Sequence, residues 1–405
     1  MESRVLVTSA RALAMTVTFC APAALAQTLP IANVSEGTSR PATRANVTIG
    51  GYVESFYQWN FNQPSNRVTN YRGFDNRSNA FTLSNVVVDM TGTLGPVSAR
   101  LALQVGHTPE MYYLAEPDQP GAGGAGASNL NVWKYIQQAN VAWRAPVGRG
   151  LLVEAGLFLS PIGPEGMVIH DQWNWSRSNL FFGCPFYHTG ARVTYGFTGS
   201  IALTLAGYNG WNSVTDNNDD KSVSLQFTYN VTDRVTFSAL YFGGVERADA
   251  APERQGSTAW RHLFDTYLAV YPTPWLSVLV HGDAGFESNA FGTSWWAAGA
   301  LYARFRVRPW LYLAARGDFF YEDPASNGTS TAAPLFWPSK WVSSQTVTVD
   351  TRPHDNVSVR LEYRHDQAEG DTYFRGMVPS DAMTRAFVPN ARSQDTLTLG
   401  MTAWF

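Results

Sequence analysis

Charged side chains recur at every second residue of segments whose other residues are apolar, and this alternation restricts the fold more than any other feature. Between residues 356 and 364, Val357, Val359, Leu361 and Tyr363 share one parity, while Ser358, Arg360, Glu362 and Arg364 share the other. A period of two is that of a strand with unlike faces. Arginine at a bilayer midplane costs about 2 to 4 kcal/mol, so the second face belongs against water while the first suits lipid. The chain's end repeats the pattern, with Leu397, Leu399, Met401, Ala403 and Phe405 on one side and Thr396, Thr398, Gly400 and Thr402 on the other. A terminal aromatic of this kind resembles the recognition signal of outer-membrane barrels.

About sixteen such segments follow one another from Asn46 onward, among them 46–60, 79–93, 130–144, 200–211, 341–351 and 394–405. Tight, turn-rich connections near Gly95, Pro146, Gly199, Asp233, Pro272, Pro309 and Pro353 alternate with mostly long ones, such as 61–78, 108–129, 161–186 and 367–393. Only the connections near Asp216 and Gly292 break that alternation by being short. Segments of about ten residues suit a tilted membrane-crossing strand, and an even count suits a single-chain bacterial barrel. The expected fold is therefore all-β: a transmembrane antiparallel up-and-down barrel of about sixteen strands, with short periplasmic turns and long extracellular loops. Aromatics near segment ends, including Trp59, Trp143, Tyr195, Trp211, Tyr229, Tyr271, Trp275, Trp310 and Tyr321, suit interfacial girdles.

Composition excludes the main rivals. Aromatics make up 14% of the 405 residues and charged residues only 15%, against about a quarter charged in soluble domains. Beyond the first residues, no run approaches the roughly 20 apolar residues of a spanning helix. The net charge of -3 offers no basic surface, so no nucleic-acid partner is expected. Residues 1–26 read as a secretory signal peptide, with Arg4 and Arg11 near an apolar run and Ala24-Leu25-Ala26 before the cleavage point. Residues 27–45 read as a flexible leader and 46–405 as the barrel. Removal of the signal would leave Cys184 as the sole cysteine.

Parity assigns a lumen wall. Its cations are Arg100, Arg192, Arg304, Arg306, Arg316, Arg360 and Arg364, and its anions Glu54, Glu154, Asp265, Asp283, Asp318 and Glu362. Such a wall either focuses a field that sorts solutes by charge or forms an ion-pair network that fills a polar interior. Loop 161–186 is the candidate constriction. It carries Glu165, His170, Asp171 and Arg177 among Trp173, Trp175, Phe181 and Phe182, and so many aromatics should fold inward rather than stay solvated. On that reading its polar groups face the arginines across the lumen; an extracellular contact surface is the other reading. Catalysis is not expected. His170-Asp171 with Ser176 is suggestive, but no GxSxG elbow or HExxH spacing occurs. No cofactor or metal is implied, although the carboxylates of Asp216 to Lys221 could hold a divalent cation if they are not a solvated turn.

Several strings, GYVESFYQWNFNQPSN at 51–66, FDNRSNAFTLS at 74–84, GLFLSPIG at 156–163, DQWNWSRSNLFFGCPFYHTGARVTY at 171–195 and YNGWNSVTDNNDDKS at 208–222, together resemble the OmpL-like β-barrel porin-2 family. The resemblance runs in order along residues 46–405 and is sharpest around Trp175, Ser176, Arg177, Pro185, His188, Thr189, Gly190 and Arg192. It implies a porin in the outer membrane of a Gram-negative-type bacterium, with outer-membrane lipid as its surroundings, but supplies neither solutes nor catalytic roles. From the polar lumen and the lack of catalytic motifs the expectation is a non-enzymatic channel that passes small hydrophilic solutes or ions by passive diffusion. A substrate-specific uptake channel is the first rival, and an enzyme or adhesin on a blocked barrel the second. A homotrimer is expected only by analogy with other sixteen-stranded porins.

Overall fold

Strands with one apolar and one polar face can satisfy every backbone group in a bilayer only by pairing around a closed ring. The computed structural model describes residues 44–116, 130–249, 251–256, 258–332, 335 and 338–405, and there the ring closes. Its sixteen antiparallel strands are β1 (Asn46–Asn60), β2 (Ala80–Leu94), β3 (Val97–Val105), β4 (Ile136–Ala145), β5 (Leu151–Leu159), β6 (Tyr187–Gly196), β7 (Ile201–Tyr208), β8 (Ser222–Thr232), β9 (Val235–Val245), β10 (Trp260–Thr273), β11 (Leu276–Asn289), β12 (Gly292–Arg308), β13 (Leu311–Asp323), β14 (Trp341–His354), β15 (Val357–Ala368) and β16 (Ser393–Trp404). Each pairs with its neighbours in sequence, and β16 closes on β1 through the register Phe56↔Gly400. The expected signal peptide, and the expected leader except for its last two residues, lie outside the described residues.

Parity separates the two surfaces as the sequence implies. On β15 and β16, Leu361, Tyr363, Leu397, Leu399 and Met401 are exposed, while Arg360, Glu362, Arg364, Thr396 and Thr398 are buried inside. Trp143, Trp275 and Trp310 stand exposed near the short turns, as a girdle requires. Two of the expected girdle residues do not. Trp211 lies beyond the end of β7 and packs inside against Phe242, and Tyr271 continues the inward parity of Asp265, Tyr267 and Ala269. The expected fourth segment starts late. Pairing of β4 with β3 ends at Leu103↔Ile136, after a register shift, and the chain before it forms a helical turn at Leu130–Trp133.

The wall is uneven in height. Strands β3 to β7 have 8 to 10 residues, whereas β10 to β14 have 13 to 17. Two of the long connections, 61–79 and 160–186, send residues into the bore. Segment 61–79 places buried Arg72 against Asp75 and, at 3.4 Å, Asp366 of β15, while Thr69 Oγ1 donates to Gln58 Oε1 at 2.6 Å.

Candidate functional site: the inward loop and the lumen wall

The connection from Ser160 to Phe186 is rich in carbonyls and aromatics, and both need a partner once out of water. It turns into the barrel and lies along β13 to β16. Trp175 is fully buried there, and the place it occupies exists because the opposite residue on β16 is Gly400: a Cβ at that position would overlap the indole. Ser178 caps the short helix α1 (Asn179–Phe182), its side chain accepting from Phe181 N.

The wall's charges grip this loop. Arg360 Nη1 donates to the carbonyls of Ile169 and Asn174 at 2.9 and 3.0 Å, and Nη2 to that of Gln172 at 2.8 Å. Arg316 donates to the carbonyls of Ser176 and Arg177 at 2.6 and 3.1 Å and pairs with Glu165 at 3.0 Å. Arg364 donates to the Arg177 carbonyl at 2.5 Å and pairs with Asp366 at 2.6 Å. The anions work from the other direction: Glu362 accepts from Trp175 N and Ser176 N at 2.5 and 2.9 Å, Glu54 from Ile169 N at 2.8 Å, and Asp318 from the Asn179 side chain at 2.7 Å. Thus Arg316, Arg360 and Arg364 do not look at the loop across open water; they hold its backbone. The reason is chemical: a buried guanidinium must place up to five donors, and the loop's free carbonyls supply acceptors that the strands have already spent on one another.

The other wall residues lie elsewhere. Arg192 and Glu154 form a cross-strand pair at 2.7 Å on β6 and β5, with Arg192 over the Phe158 ring. Arg100 pairs with Asp89 at 2.5 Å near the short-turn rim, where its side chain is 42% exposed. Arg304 stands 4.1 Å over the Tyr312 ring, and Arg306 is exposed on the same side of β12. Asp350 on β14 draws three guanidiniums: Arg352 at 3.2 Å, Arg304 at 3.6 Å and Arg360 at 3.7 Å. Arg304 is nonetheless buried with Nε and Nη2 lacking hydrogen-bond partners.

Within the loop, Glu165 accepts from Ser178 N and from Arg316, and Arg177 donates to the loop's own carbonyls at Gly166 and Met167. His170 and Asp171 lie 3.4 Å apart and keep 20% and 17% of their side-chain surface exposed. His170 stacks on Trp404. Burial, with Arg360 and Arg352 nearby, lowers the His170 pKa to about 4; burial raises that of Asp171 to about 6, against the pull of the same arginines. The hydroxyl of Ser176 accepts from Arg316 at 3.2 Å. The run from Asp216 to Lys221 is tied by Lys221 to Asp216 and Arg254 to Asp220, each at 2.6 Å, which leaves a capped turn. Sequence reasoning passed over Arg72, Asp350, Arg352 and His281. Only parity could have found the last three: His281 shares the inward side of β11 with Asp283, which sequence reasoning did single out, and Asp350 and Arg352 share the inward parity of Thr346 and Thr348 on β14, a strand from which it named no lumen residue.

A closed barrel of sixteen strands, with an apolar outer face and a charged wall that holds the third long loop inside, defines a bacterial outer-membrane porin. The chain belongs to the family described as "Putative beta-barrel porin-2, OmpL-like", which matches residues 46–405. No curated protein matches the sequence. Among solved structures it is similar to the trimer form of OmpT, an outer membrane protein of Vibrio cholerae, at TM-score 0.56 and 8% identity over 89% of this chain and 99% of that one. It is similar also to an anion-selective porin from Comamonas acidovorans, at 0.54 and 10% over 89% and 100%. The outer membrane channel DcaP of Acinetobacter baumannii gives 0.53 and 10% over 89% and 97%. At such identities the likeness is one of fold. The protein is thus an outer-membrane porin for passive diffusion.

Proposed function

We propose that small hydrophilic solutes cross through a bore narrowed by loop 161–186, and that the narrow part favours anions. The observation that carries this reading is the surplus of positive charge around Asp350: one carboxylate faces Arg304, Arg352 and Arg360, and Arg304 keeps two nitrogens without hydrogen-bond partners. In a water-poor constriction, such fixed charge raises the local concentration of the opposite ion. Arg306, exposed near the short-turn rim, extends it toward the periplasmic mouth, whereas Arg100 at that rim is balanced by Asp89. Reversal potential across a planar bilayer in a salt gradient tests the reading. Wild type should favour anions, and the Arg304→Gln, Arg306→Gln, Arg352→Gln triple variant should move toward neutrality. A cation preference in wild type would refute it.

We propose further that the protein acts as a channel without catalysis, and that it assembles as a homotrimer through β3 to β7. Those strands, at 8 to 10 residues, are the lowest part of the wall and carry Leu101, Leu103, Val141 and Leu205 outward. A span near the lower limit for crossing hydrocarbon suits a face covered by neighbours rather than by lipid. The similarity to an OmpT described in trimer form agrees with it. Cross-linking of the detergent-folded protein should give a ladder ending at three chains. A substrate-specific channel would instead show saturable flux, whereas flux linear in concentration supports free diffusion.

A further inference from the structure

The wall residues of β10 and β11 include a group that neither holds the loop's backbone nor joins the arginine network. Asp265 and Asp283 are directly opposite in the β10–β11 register, both facing inward and both at least 95% buried. Like charges set opposite each other destabilise a sheet, and buried ones do so more because little water screens them. His281 stands between them, Nε2 lying 2.6 Å from Asp265 Oδ2 and 3.3 Å from Asp283 Oδ1. One imidazole can balance only one of the two carboxylates. The group is also short of partners: Asp283 Oδ1 and His281 Nδ1 have no hydrogen bond, although both are buried. The loop brings a fourth donor, since Cys184 Sγ lies 3.5 Å from Asp283 Oδ2.

We propose that Asp265, His281, Asp283 and Cys184 form a binding site for a zinc-type divalent cation. The ligand atoms of Asp265, His281 and Asp283 already lie within 4.8 Å of one another. Zinc bonds of about 2.0 to 2.3 Å in a tetrahedron place such atoms roughly 3.3 Å apart, so small shifts suffice. Two oxygens, one nitrogen and one sulfur select a borderline cation of the zinc or cobalt kind; calcium and magnesium demand six or more oxygens. The surroundings are dry, because Cys184 packs in one apolar cluster with Ile162, Leu263, Trp296 and Phe320. Both ends of the loop meet at this point. Gly163, near its start, has φ +75° and sits where a Cβ would come within 3.1 Å of His281 Cε1 and 3.7 Å of Asp265 Oδ2, while Cys184 stands near its end. A cation here neutralises the facing carboxylates and fastens the loop's two ends to β10 and β11.

The test is titration of Zn²⁺ and Co²⁺ into the full-length protein folded in detergent and freed of metal. One zinc per chain is expected, weakened at least about tenfold in Asp283→Asn. The cobalt form should show a thiolate charge-transfer band that disappears in Cys184→Ser, a change in the loop that leaves the strands intact and so guards against a failure of Asp283→Asn to fold. Absence of stoichiometric zinc, equal affinity in wild type and both variants, or a cobalt spectrum without the thiolate band would overturn the proposal. In the first case a shared proton is what reconciles the two carboxylates.

Discussion

The wall of β13 to β16 and the lower wall of β6 to β9 both face the bore with polar side chains, yet they use polarity differently. On the first, Arg316, Asp318, Arg360, Glu362 and Arg364 are almost wholly buried, and each bonds to loop 161–186. On the second, Thr194, Asn230 and Thr236 stay half-buried and bond to the wall itself: Thr194 with Thr204 at 2.9 Å, and Thr236 to Asn230 at 3.0 Å. Among the described residues, side chains of this lower wall reach the loop only at its first two residues: His188 Nε2 lies 3.2 Å from Ser160 Oγ, and Gln226 donates to the Pro161 carbonyl at a long 3.5 Å. Charge serves as a fastener where the loop lies, and hydroxyls and amides make a wetted surface where it does not. Buried charge tolerates no loss of partners, whereas a hydroxyl beside water exchanges one partner for another at little cost.

The comparison breaks most readily at Arg360. Arg360→Ala strips three loop carbonyls of their donor and removes a cation from Asp350. Loss of one side of a buried charged network costs about 3 to 5 kcal/mol. The urea midpoint should fall accordingly, and single-channel records should become noisier or larger as the loop loosens. An unchanged midpoint would mean that the fastening is spread over the other arginines. Next in size is Gly400→Ala, which sets a methyl where the Trp175 ring lies. Overpacking of this kind costs about 1 to 3 kcal/mol, and indole fluorescence should report the displaced ring.

How much of this was legible from the residues follows the same division. Parity is a local property, so closure, the count of sixteen strands and the inward side of Arg316, Arg360, Arg364 and Glu362 could all be read from alternation. Which partner each charge takes is not local. The loop's approach to β13 to β16 depends on Gly400 leaving room for Trp175, a relation spanning more than 200 residues that no period encodes. Hence the arginines were legible as lumen residues but not as loop anchors. For the same reason Trp211 and Tyr271 looked like girdle residues: an aromatic at a strand end is equally suited to lipid and to an inner cluster until the neighbouring loops are placed.

Asp171 sharpens the comparison by charge alone. Its pKa, raised by burial to about 6, puts a titration inside the bore within reach of Arg360 and Arg352. A carboxyl raised in the folded state favours folding below its unfolded pKa, and that contribution is lost as pH rises through about 6. For conduction the sign is simple: below about pH 6 the bore loses one negative charge. Anion preference should therefore grow between pH 7 and 5, and the step should vanish in Asp171→Asn. His170, lowered to about 4, stays neutral over this range and contributes nothing to the step.

The smallest effect belongs to the wetted wall. Thr204→Val removes one hydroxyl from the Thr194 pair and leaves Thr194 beside water. A neutral hydrogen bond of this kind contributes about 0.5 to 1.5 kcal/mol, and water replaces part of it. The urea midpoint should move by less than about a third of the shift caused by Arg360→Ala, and the noise of the open channel should stay unchanged, because no fastening to the loop is touched. A loss as large as that from Arg360→Ala would show that β6 to β9 also bear the loop, and the contrast between fastener and wetted surface would have to be given up.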